Sequence, residues 1–158
     1  MEKENEKKVI GDVRQEQAKL GELEMKFYAC DCAEHLVAFY EKRHPADKRL
    51  RESIEAARQY VRGQIERSEL REKVSRAVAA AEVEKMEFGF RYRSNPRLEA
   101  WAATIIVRTV MDIMDDCRRI KALDLFWDRY DIGKNSDQAW EDEAQWRKEK
   151  LMEYSKEA

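Results

Sequence analysis

The chain has 158 residues, enough for one ordinary domain with a closed hydrophobic core. Its 5 Gly and 2 Pro are too few for the turns of an all-β fold, so an all-α domain is expected. Charged residues make up 41%, yet 31 Lys and Arg against 33 Asp and Glu leave a formal net charge of only -2, which excludes the one-signed surface of a nucleic-acid binder or a global DNA mimic.

Residues 1–8 are nearly all charged or polar and are expected to form a disordered tail, leaving 9–158 as a single domain. No apolar export signal is visible there, and the longest apolar stretch, Trp101 to Val107, is too short to span a bilayer. Cys30, Cys32 and Cys117 are an odd, sparse set that suits reduced thiols, so a cytoplasmic protein is expected.

Val9, Val13, Leu20, Leu23 and Phe27 start a helical pattern, with a break expected near Gly21. Met25 to Arg43 follows as a core helix with Phe27, Cys30, Ala33, Val37 and Tyr40 on its apolar stripe, ended by His44-Pro45. Asp47 is expected to cap a third helix carrying Leu50, Ile54, Ala57 and Val61, with Gly63 as its stop. Ser68 is expected to cap a fourth helix through Leu70, Val74, Ala77 and Ala81.

Phe88 to Asn95 reads as an irregular connection, and Asn95-Pro96 as the start of the next helix. That helix, residues 98–117, is apolar around most of its circumference and is expected at the centre of a bundle of about six to seven helices. Arg108 and Asp112 inside it are spaced to pair. Ile120, Leu123, Trp127 and Tyr130 form one stripe of a sixth helix ending at Gly133, and Ser136 caps the last one.

No phosphate loop, zinc-spaced Cys pair or nucleophile elbow occurs, so no catalytic residue, metal or cofactor is expected. The nearest approach to chemistry is Asp31, Cys32 and His35. Asp31 and His35 share a helix face, whereas Cys30 and Cys32 stand about 200° apart and cannot close one tetrahedral site. Acidic residues gather at Asp124, Asp128 and Asp131, where they form either a solvated face or a docking surface for a basic partner. With the aromatic anchors Trp127 and Tyr130, they are the candidate partner-binding set.

Ala29-Cys-Asp-Cys-Ala-Glu-His35, Tyr40-Glu-Lys-Arg-His-Pro45, Asp47, Arg49, Arg51 and Ile54-Glu-Ala-Ala-Arg58 resemble the N-terminal half of an α-helical family of immunity proteins of bacterial polymorphic toxin systems. Trp146 with Leu151-Met-Glu-Tyr154 resembles the closing helix of that family. The middle departs from it, because family members carry an Ala- and His-rich central helix where this chain has Glu82 to Arg97 and the Ile/Val/Met-rich helix from Leu98. The resemblance implies a non-enzymatic inhibitor that neutralises a toxin by protein–protein contact. Alternatives are a phage-borne inhibitor of a host defence nuclease and a homodimeric helical scaffold; neither a membrane nor a nucleic-acid partner is expected.

Overall fold

The computed structural model describes residues 13–88, 97–130 and 138–157. Within them the chain forms a short helix at 13–18 (α1), then α2 (Glu22–Arg43), α3 (Arg49–Val61), α4 (Arg67–Phe88), α5 (Leu98–Met114), α6 (Lys121–Arg129) and α7 (Gln138–Glu157). The described residues hold no strand, and the expected all-α architecture is what they show. The expected tail, Gly11, the 89–95 connection, Asn95-Pro96, Asp131, Gly133 and Ser136 lie outside the described residues.

α5 packs against α2, α3, α4 and α6, so the most apolar helix is central as its sequence implies. Leu98, Ile105, Ile106 and Ile113 are shut away from solvent, and each contributes about 1.5–3 kcal/mol relative to an exposed side chain. α2 is nearly as enclosed, with α3, α5 and α7 around it, and for this reason Cys30 and Cys32 are both buried although they point to different sides. Phe27, expected on the core stripe, is only half-buried and lies 5.5 Å from the Arg62 guanidinium.

Local chemistry sets the helix ends. The break expected near Gly21 occurs: α2 starts at Glu22, and the Gly21 N–H donates to the Glu24 carboxylate. Glu22 and Glu24 at this end, with Lys42 and Arg43 at the other, complement the helix dipole. α3 stops as expected, with Gly63 at φ 74°, its N–H on the Tyr60 carbonyl and the Gln64 N–H on that of Gln59.

α5 ends with the same pair of bonds, Asp116 to Ile113 and Cys117 to Asp112, but Asp116 takes the left-handed position at φ 52°. Asp116 is held there by Tyr60, whose hydroxyl donates to its carboxylate at 2.9 Å.

Four expectations need correction. Asp47 is not the N-cap of α3; Lys48 is, and the Asp47 carboxylate instead accepts the Arg49 N–H and guanidinium. Ser68 lies within the first turn of α4, which begins at Arg67. Arg108 is exposed and not part of a buried pair, because α5 presents one bare stripe to solvent, and Asp112 turns to accept the Ala122 N–H at the start of α6. α6 ends at Arg129, with Tyr130 extended at ψ 107°, so Tyr130 stands just past the helix.

Candidate functional site

The structure draws Asp31, Cys32 and His35 into a polar seam that joins α2 to α3 and α7. One Arg58 nitrogen donates to Asp31 and to Glu34, both at 2.8 Å, and the Tyr154 hydroxyl reaches the other Asp31 oxygen. Asp31 is therefore committed to Arg58 and Tyr154. The His35 ring stacks on Trp146 with centroids 3.9 Å apart and planes 7° from parallel, and its Nδ1 meets the Glu143 carboxylate.

Cys32 is 2% exposed, and burial pushes its thiol up to about 12. A thiolate nucleophile needs the opposite shift, towards neutrality or below. Burial raises the Cys30 thiol in the same way. Asp31 thus ties α2 to both α3 and α7, and His35 ties it again to α7. Among the described residues, no group of three or more His, Cys, Asp or Glu is arranged to hold a metal ion.

Sequence reasoning missed the other half of this seam. Glu143 and Arg147 are both fully buried and ion-paired at 2.9 Å, with the Arg147 guanidinium carbon 4.1 Å from the Phe126 ring centre. Tyr28 donates to the Arg147 carbonyl. Their signal was readable: Trp140, Glu143, Ala144, Arg147 and Leu151 recur at helical spacing and form the inward stripe of α7. At the other end of α2, His44 meets the buried Glu84 of α4, so both histidines tie α2 to a buried carboxylate.

The α6 residues are arranged differently. Trp127 is buried, with its indole N–H 3.4 Å from the Gln17 side chain of α1, so it supports this surface from beneath. Asp124 is paired with Arg119 at 2.5 Å and Asp128 with Arg14 of α1 at 2.7 Å. Tyr130 is half-buried, stacked on Phe126 and bonded to Glu141 at 2.7 Å.

Asp124 and Asp128, one turn apart on α6, thus each already face an arginine, whereas Tyr130 is bonded towards α7. Exposed pairs of this kind contribute about 0–1 kcal/mol each, which leaves them open to exchange for a partner's charges. Arg14, Ala18, Met25, Ile120, Leu123 and Asp124 line a groove of about 340 Å³ between α1 and α6. No described helix is long and apolar enough to cross a membrane.

No curated protein and no solved structure matches the chain. The C-terminal helix with Trp146 and Tyr154 is outside the stretch that a family model covers, whereas the block from Ala29 to Arg58 is inside it. Residues 19–89, which hold α2, α3 and α4, match the model of the family described as Imm-5 like putative immunity protein.

Proposed function

We propose that this protein is an immunity-type binder that neutralises a partner toxin by protein–protein contact in the cytosol, without chemistry of its own. The family match over α2 to α4 carries the reading. The side chains closest to a reactive constellation fit it too, since Cys32 is held protonated by burial and His35 is clamped between Trp146 and Glu143. Free cysteines among the described residues suit a reducing compartment.

The contact surface in this reading is the α6 face, with Asp124 and Asp128 exchanging their arginines for basic groups of the toxin and Asp131 adding to them. Tyr130 supplies an aromatic contact, and Trp127 holds the face rigid from the core.

The test is co-purification of the tagged protein from its native cells, followed by light scattering of the reconstituted pair. A stoichiometric complex that the triple variant Asp124→Ala, Asp128→Ala, Asp131→Ala weakens supports the reading and the face together. Recovery of the protein alone, or as a homo-oligomer, contradicts both.

A further inference from the structure

α1 separates two grooves. One lies on its α6 side; on its other side, Val13 and Glu16 face the C-terminal turns of α7 across a mostly apolar groove of about 480 Å³. Leu151 forms the buried floor, and Met152 stands 61% exposed on the wall. Lys148, Met152 and Lys156 follow one another at four-residue intervals, so the exposed methionine lies between two lysines on one helical stripe.

The charges at this groove are unbalanced. Glu16 is already engaged by Lys19 at 2.8 Å, while neither Lys148 nor Lys156 makes an ion pair among the described residues. An apolar floor flanked by Lys148 and Lys156 is complementary to apolar side chains flanked by carboxylates. A second copy of the chain fits poorly, because antiparallel α7 helices meeting at Met152 would set Lys148 of each copy against Lys156 of the other.

We propose that the α1/α7 groove seats an acidic amphipathic segment of the protein partner, with apolar side chains on Val13, Leu151 and Met152 and carboxylates at Lys148 and Lys156. This rests on the reading of the protein as a binder and names a second contact surface for it, across α1 from the α6 face.

The probe is a short amphipathic peptide whose leucine stripe is flanked by glutamates, with a twin in which every glutamate is lysine. Binding to the full chain is read by fluorescence anisotropy. The acidic peptide is expected to bind saturably and about ten-fold or more tighter than its twin.

The double variant Lys148→Glu, Lys156→Glu should reverse that preference, and Met152→Asp should weaken both peptides; all three positions lie outside the core, so circular dichroism should stay unchanged. Equal binding of the two peptides, indifference to these substitutions, or a dimer of the protein alone that Met152→Asp dissolves overturns the proposal. The two peptide outcomes leave the binder reading standing, because that reading is tested by recovery of a toxin complex, not by peptide binding; the dimer counts against both.

Discussion

Glu143 and Arg147 stand one helical turn apart on α7, both enclosed by the core, with Arg147 Nε donating to Glu143 at 2.9 Å. An enclosed pair is costly to break from one side, since the remaining charge is left without compensation. Glu143→Ala is expected to lose about 3–5 kcal/mol of unfolding free energy. The double variant Glu143→Leu, Arg147→Met should recover most of it, and urea titration of the three proteins measures the difference. Equal losses in the single and double variants would show that shape, not charge, sets this part of the core.

The cysteines make a separate prediction. Burial pushes the Cys30 and Cys32 thiols up to about 12, whereas Cys117 is half-buried just past the end of α5. Since alkylating reagents attack the thiolate, the folded protein should take up one label at neutral pH, on Cys117, and the denatured protein three. Mass spectrometry distinguishes the cases; fast labelling of Cys32 in the folded state would revive it as a nucleophile.

The two left-handed helix ends should respond in opposite ways. A Cβ at Gly63 meets nothing within 4 Å, so Gly63→Ala is expected to cost only the conformational term of about 1–2 kcal/mol. Asp116 bears that strain in return for its bond from Tyr60. Asp116→Ala keeps the strain and loses the bond, whereas Asp116→Gly loses both and should be the more stable of the two by about 1 kcal/mol. Thermal unfolding of the three variants checks the order.

Asp47 sets an acid limit. The Arg49 guanidinium, with help from the Tyr40 hydroxyl, holds its carboxyl well below the usual carboxylate range. A carboxyl depressed in the folded state contributes stability that is present above its unfolded pKa and is lost as pH falls through the folded one. Asp47→Asn should therefore be less stable than the wild type at neutral pH. The gap should close as the solution is acidified below the ordinary carboxylate range, and a gap independent of pH would remove Asp47 from the account.

Much of the fold was legible because 3.6-residue periodicity and Gly signals report local physics. Gly21 and Gly63 mark real boundaries, and the apolar helix from Leu98 is central. What eluded sequence reasoning depends on long-range partners. Helical spacing puts Glu143 on the inward stripe of α7 but cannot name His35 of α2 as its partner, and Asp112 pairs with a backbone N–H ten residues on, not with Arg108 one turn away. The α6 face shows the same limit: spacing places Trp127 and Tyr130 on one stripe, but only packing separates a buried indole from a half-exposed phenol.

If this protein neutralises a toxin by binding it, it should protect growing cells from that toxin. Cells induced to express the toxin recovered by co-purification are scored with the wild-type protein, with folded His35→Gln and with an empty vector. Restored growth with both proteins, matched by a stoichiometric complex in each case, is the predicted result. No protection by the wild type, or protection that His35→Gln abolishes while the complex still forms, would overturn the binder reading, the second by pointing to chemistry at His35.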